Sequence, residues 1–182
     1  MKKRKQDLGF TVLEVLIVVL VIGILAAVAG YNYQRYALNA KRVEAITNLG
    51  VIRGLEETYR AENGRYVTCD WSPREVPPPT GTTSWNSSSY FYLIGFSPRG
   101  VLRYRYGVSR ENGRMTIDEC LRDSSRCYED GVVENGFVSP RDGFIDIIIK
   151  AEGDLDGDGE VGKLFVPDEP PARVIYLEYS VY

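Results

Sequence analysis

The strongest pattern along the chain is an unbroken apolar run near its start. From Phe10 to Tyr31 the residues are mainly apolar, and Val15–Ala29 hold neither a charge nor a strongly polar group. As a helix this 22-residue stretch spans roughly 33 Å, enough to cross the hydrocarbon core of a bilayer. Residues 32–62 then lack proline, and Ala40, Val43, Ile46, Leu49, Ile52, Leu55 and Tyr59 recur at three- or four-residue spacing, which predicts one apolar helical face. Glu56, Glu57, Arg60 and Glu62 are expected mostly off that face, and Asn63-Gly64 is a natural stop. A single helix from Phe10 to Glu62 would be roughly 80 Å long. Its first half suits lipid and its second half suits packing on a sheet.

After Gly64 the pattern changes. Residues 64–89 hold Pro77-Pro78-Pro79, Gly81 and Ser87-Ser88-Ser89, which predict a surface loop, and Asn86-Ser87-Ser88 fits a glycosylation sequon. Strand signals follow over Tyr90–Phe96 and over Leu102–Val108, where Leu102, Tyr104, Tyr106 and Val108 alternate with Arg103, Arg105 and Gly107. Arg114–Asp118 is a weaker strand candidate beyond the Glu111-Asn112-Gly113 turn. Phe144–Lys150 and Lys163–Val166 flank a Gly/Asp loop, and Arg173–Tyr182 is rich in strand formers. The expected fold class is α+β: a long N-terminal helix packed on a mainly antiparallel sheet of about four to five strands.

Composition narrows the function. The chain has 182 residues, 26% charged and 44% apolar, and no histidine. Losing the commonest general base, and with it the usual Ser-His and Cys-His pairs, points away from an enzyme, and no catalytic residue is assigned. The net charge of −3 hides an asymmetry: Lys2, Lys3, Arg4 and Lys5 cluster before the apolar run, and without residues 1–9 the remainder carries −6. That balance gives no support to nucleic-acid binding. The basic cluster is expected to stay cytoplasmic, with the chain beyond the apolar run on the far side of the membrane. A secretory signal peptide also has a charged start and an apolar run, and Ala26, Ala27 and Ala29 imitate its cleavage site, but the run is long for one. Glu14 fits such a peptide poorly. A carboxylate inside an apolar helix costs a few kcal/mol in lipid, and it makes sense where a positive partner arrives.

The segment Gly9-Phe10-Thr11-Val12-Leu13-Glu14, a basic leader before it and an apolar helix after it, resembles the type IV pilin and pseudopilin superfamily. The resemblance implies cleavage between Gly9 and Phe10 by a membrane aspartyl prepilin peptidase, N-methylation of Phe10, and an assembly role for Glu14, which falls at the fifth mature position. It further implies residues 1–9 as a removed cytoplasmic leader, 10–31 as the membrane and assembly half of the helix, 32–63 as its amphipathic half, and 64–182 as a β-rich head. The expected life history is a single-pass precursor in the bacterial inner membrane that becomes a homopolymeric extracellular filament. An assembly platform and an ATPase are the implied indirect partners. Glu14 of one subunit would then pair with the Phe10 ammonium of its neighbour. Gly23, Ala26, Ala27, Ala29 and Gly30 would let helices approach closely. The chain departs from the family at Tyr31, where many pilins carry proline, so a helix that loosens between a Gly and that Pro is not implied here. A type II secretion pseudopilin is the alternative, and a membrane-anchored enzyme or binding protein is the alternative from a different class.

Two further features bear on chemistry. Gly153-Asp154-Leu155-Asp156-Gly157-Asp158-Gly159-Glu160 places Asp154, Asp156 and Asp158 at the first, third and fifth positions of a calcium loop. Its twelfth position is Phe165, so Glu152, Glu160 or Asp168 would have to complete the shell; a turn rich in Asp and Gly between two strands explains the same residues and needs no metal. Some members of the superfamily bind calcium in this region, and several carry a similar turn with no assigned metal. Apart from this possible calcium, no cofactor is expected. Among Cys69, Cys120 and Cys127, the pair Cys120–Cys127 is nearest in sequence and is the favoured bridge, with Cys69 bonded to either partner as the alternative. The 13 tyrosines and the arginines 99, 103, 105, 110 and 114 read as strand formers and a solvated face.

Overall fold

The computed structural model describes residues 10–85, 88–111, 113–129, 131–171 and 173–178, and of Tyr31 and Glu178 the backbone alone. Gly9 and the rest of the leader, Asn86 and Ser87 of the sequon, Asn112 of the turn, and residues 179–182 lie outside the described residues. Helix α1 runs Val12–Asn63, and its C-terminal stop is Gly64, whose φ of 70° is the left-handed conformation that glycine adopts without strain. The chain divides between Ala37 and Leu38 into two compact units. In the first, every described side chain from Phe10 to Tyr36 is exposed. This helix is long and apolar enough, by length and composition, to cross a membrane.

The second unit begins within α1 and contains a sheet of seven strands among the described residues. These are β1 Tyr66–Ser72, β2 Arg105–Arg110, β3 Val132–Val133, β4 Gly136–Val138, β5 Ile147–Gly153, β6 Gly162–Pro167 and β7 Ile175–Glu178. The order is β4-β1-β2-β5-β6-β7, with β3 beside β2, and every pairing is antiparallel. The helix-plus-antiparallel-sheet class therefore holds, with more strands than the four to five expected; the surplus comes from β1 and from the two- and three-residue strands β3 and β4. Runs that short carry no readable alternation.

The core under α1 joins Ala45, Leu49 and Ile52 to Val67, Cys69, Tyr106, Val108, Ile147, Ile149 and Val166. Ile46, Leu55 and Tyr59 pack at its margin, whereas Ala40 and Val43, expected on the buried face, are exposed. The buried stripe is thus Ala45–Leu49–Ile52–Glu56, and the inclusion of Glu56 corrects the expectation that it lies off the face. Its Oε2 accepts the backbone N–H of Val67 at 3.0 Å, so the carboxylate caps the start of β1.

Three local expectations are overturned. Tyr90–Phe96 is a 3₁₀ helix over Tyr90–Tyr92 followed by a turn, not a strand. Gly95, at φ 75°, folds the segment back so that Phe96 N–H donates to Phe91 O at 2.9 Å, and Phe91, Ile94 and Phe96 all reach the core. A strand would turn alternate residues outward. Arg114–Asp118 leads into helix α2, Ile117–Arg122, because Thr116 and Glu119 form a reciprocal capping box; α3 follows over Ser124–Glu129. Residues 64–89 are not all loop, since β1 lies within them and pairs with both β2 and β4. Leu102–Val108 is shifted: β2 starts at Arg105, while Leu102 bridges Thr82. Leu102, Tyr104, Tyr106 and Val108 are nonetheless all buried, as the alternation predicts.

A second, smaller core lies on the other side of β5 and β6. Ile148 and Phe165 meet Met115, Cys120, Cys127 and Tyr128 there, and the register that pairs Ile149 with Val166 puts their neighbours on the opposite face.

Candidate functional site

The first candidate is the start of α1. Thr11 accepts the Glu14 N–H on its side-chain Oγ1 at 3.2 Å and on its carbonyl at 3.1 Å, which closes the first helical turn. Phe10, Val12 and Leu13 are 80, 85 and 68% exposed. Glu14 stands among them, exposed, and among the described residues its carboxylate meets neither a cation nor a hydrogen-bond donor. A Cβ added at Gly23 or Gly30 would touch nothing within 4 Å, so packing inside the chain does not require glycine at either position. The segment therefore offers an acid without a partner among the described residues, an exposed apolar surface and small residues. Of the processing pair, Phe10 is placed by the structure and Gly9 lies outside the described residues.

The second candidate is the loop between β5 and β6. Asp154, Asp156 and Asp158 each bring a carboxylate oxygen within 4.8 Å of the others; Glu160 is not in that group. Asp154 accepts the N–H of Gly157 at 2.7 Å and that of Gly159 at 3.2 Å, while Asp158 accepts the N–H of Glu160 at 2.8 Å. Gly157 and Gly159 have φ of 84° and 91°, as such a tight turn demands. Desolvation, joined by the neighbouring Asp158 and Asp154 charges, raises the Asp156 carboxyl above its ordinary value. The other two carboxylates named for the shell are engaged elsewhere. Glu152 pairs with Arg105 and accepts the Tyr128 hydroxyl, and Asp168 accepts the N–H groups of Asp146 and Ile147 at 3.0 and 3.3 Å. The donor set present is thus three hard oxygens of the kind calcium takes, partly committed to the turn itself.

Cys120 and Cys127 are joined by a disulfide, and Cys69 is a buried free thiol that burial, then the nearby Glu56, pushes far above its ordinary range. Two arginines of the basic patch serve the fold: Arg103 pairs with Glu44 at 3.5 Å, and Arg105 pairs with Glu152 and lies over the Trp71 ring at 4.5 Å. Sequence reasoning missed two buried acids at the seam between α1 and the sheet. Glu56 is 1% exposed, and burial, with help from the Glu57 charge, pushes its carboxyl up to about 8 against the Val67 hydrogen bond. Asp168 is pushed up to about 7, first by burial and then by the facing Asp146.

Comparison with known proteins places this geometry. Residues 4–30 match the model of the prokaryotic N-terminal methylation motif. The type IV major pilin PilA of Myxococcus xanthus is 33% identical over 112 residues, covering 62% of this chain and 41% of that protein. The type II secretion system core protein G of Aeromonas hydrophila is 33% identical over 107 residues, 55% of this chain and 72% of that protein. A fimbrial protein of Pseudomonas aeruginosa is 32% identical over 79 residues, 43% of this chain and 51% of that protein. No solved structure matches the chain significantly. A methylation segment opening a long apolar helix, with an antiparallel sheet domain behind it, defines a pilin-type protein. The chain belongs to the family of type IV pilins and type II secretion pseudopilins.

Proposed function

We propose that this chain is a structural subunit of a type IV pilus-like filament, made as an inner-membrane precursor and polymerised through its processed apolar helix. The observation that carries the reading is Glu14: an exposed acid within an apolar helix, with no partner among the described residues. In lipid an unpaired carboxylate is unfavourable. Cleavage after Gly9 would create an ammonium on Phe10, at the positive end of the helix dipole where a cation is itself disfavoured. Pairing the two between neighbouring subunits relieves both costs and selects one register. Prepilin peptidase, an inner-membrane platform and an ATPase are the partners this reading requires. Mass spectrometry of the mature protein tests it: a chain beginning at N-methylated Phe10 is expected, and a chain in a finished fibre still beginning at Met1 would overturn it.

The same chemistry serves a pseudopilin of a type II secretion system, and the 72% coverage of the Aeromonas core protein G favours keeping that reading beside the first. Imaging separates them, since long surface fibres containing this chain belong to a pilus and short periplasmic ones to a pseudopilus. For the acidic loop we propose weak calcium binding by Asp154, Asp156 and Asp158, supported by their convergence within 4.8 Å. Calorimetric titration with calcium is expected to show saturable heat that Asp156→Asn diminishes; no heat and no thermal shift retire the site.

A further inference from the structure

We infer that the α2–α3 segment is an oxidation-dependent cap: the Cys120–Cys127 bond forms while the segment is open, and docking onto the outer face of β5 and β6 then seals it. Burial is the first ground. Both cysteines are 0% exposed, so in the docked state no oxidant reaches either sulfur and the bond must precede docking. Length is the second. The two helices have six residues each, well under the about 12 at which an isolated helix begins to hold, so the segment depends on its cross-link and on the surface beneath. The third ground is separation. Cys120, Cys127, Tyr128 and Met115 pack only into the smaller core, and no residue of α2 or α3 belongs to the core under α1.

The surface beneath the cap tolerates its removal. Tyr128 donates its hydroxyl to Glu152, yet Glu152 also holds Arg105 through two guanidinium nitrogens. With the cap lifted the Arg105–Glu152 ion pair persists and water replaces the phenol, while Lys150 and Lys163 exchange the Tyr128 ring, 4.8 and 5.9 Å away, for water. Apolar loss is confined to the smaller core, chiefly Ile148 and Phe165. In the oxidation step each thiol gives up a proton, and together they pass two electrons to a disulfide-bearing oxidant. That oxidant leaves as a dithiol, and one S–S bond forms as another breaks. This inference is independent of the filament reading.

The test uses the full chain in detergent micelles. Dithiothreitol is expected to reduce the bond roughly tenfold more slowly in the native protein than in denaturant, because the sulfurs are sealed. In the Cys120→Ser/Cys127→Ser double variant, trypsin is expected to cut after the exposed Arg122 and Arg126 roughly tenfold faster than in the oxidised chain. Hydrogen exchange across 45–56 and 147–153 should stay as slow as before. Native reduction at the denatured rate would overturn the sealing. A double variant cut no faster, or one whose whole sheet exchanges rapidly, would overturn the separate cap.

Discussion

Glu56 shows how a single residue can set the response of this domain to pH. It lies within the apolar stripe of α1 and is 1% exposed. One oxygen serves Val67 N–H, and the other, Oε1, has no hydrogen-bond partner among the described residues. With its carboxyl raised by burial from 4.5 to about 8, the folded state holds a proton that the unfolded chain releases near its ordinary value. The stabilisation is therefore full below pH 4.5 and is lost as pH rises through about 8. Comparing wild type with Glu56→Gln in chemical unfolding isolates this effect. The stability difference between them should move against wild type by a few kcal/mol between pH 5 and 8, and a difference that stays flat across that range contradicts a proton held at Glu56. Asp168, raised to about 7, acts in the same direction in both proteins and drops out of the comparison. Spacing alone would continue the stripe Ala45–Leu49–Ile52 onto Glu56, but its charge argues against burial, and periodicity cannot reveal that Val67 N–H in β1 awaits an acceptor from the helix.

At the scale of elements, legibility follows length and neighbours. Helix α1 is readable because its apolar run, its proline-free continuation and its Asn-Gly stop all agree. The helix face is readable only in part: Leu49 and Ile52 are buried as expected, while Val43 is 56% exposed. β1 is hidden by the prolines and serines that follow it, although Tyr66, Val67, Thr68 and Cys69 are all buried. The Thr116-x-x-Glu119 box was present in the sequence, but α2 is too brief to show a helical period around it. The Cys120–Cys127 bridge, favoured on nearness alone, is the one formed. One element-scale prediction concerns the end of β5. A Cβ built on Gly153 would lie 2.5 Å from the Arg103 carbonyl and 2.8 Å from the Tyr104 ring. Because the nearer atom is backbone, relief requires the strand end to shift. Gly153→Ala should therefore destabilise the sheet domain by about 1–3 kcal/mol, measured by denaturant unfolding; a cost below a few tenths of a kcal/mol would show that the backbone yields freely.

For the whole molecule, the division of labour follows the distribution of polar groups. The sheet domain draws on α1 for part of its polar pairing: Glu44 takes Arg103 N–H and the Tyr106 hydroxyl, and Lys41 donates to Leu155 O. The segment from Phe10 to Tyr36 leaves every described side chain exposed. Its apolar surface calls for lipid or other helices, and its one acid calls for a cation. Such a segment makes physical sense when many copies supply what one lacks. The measurement closest to that claim is filament yield from Glu14→Gln, which keeps the shape of the side chain and removes its charge. The mutant should be cleaved and N-methylated like wild type, yet its filaments should fall roughly tenfold or more, because the neighbouring ammonium is left unpaired. Processed Glu14→Gln subunits that polymerise at the wild-type level would contradict the account.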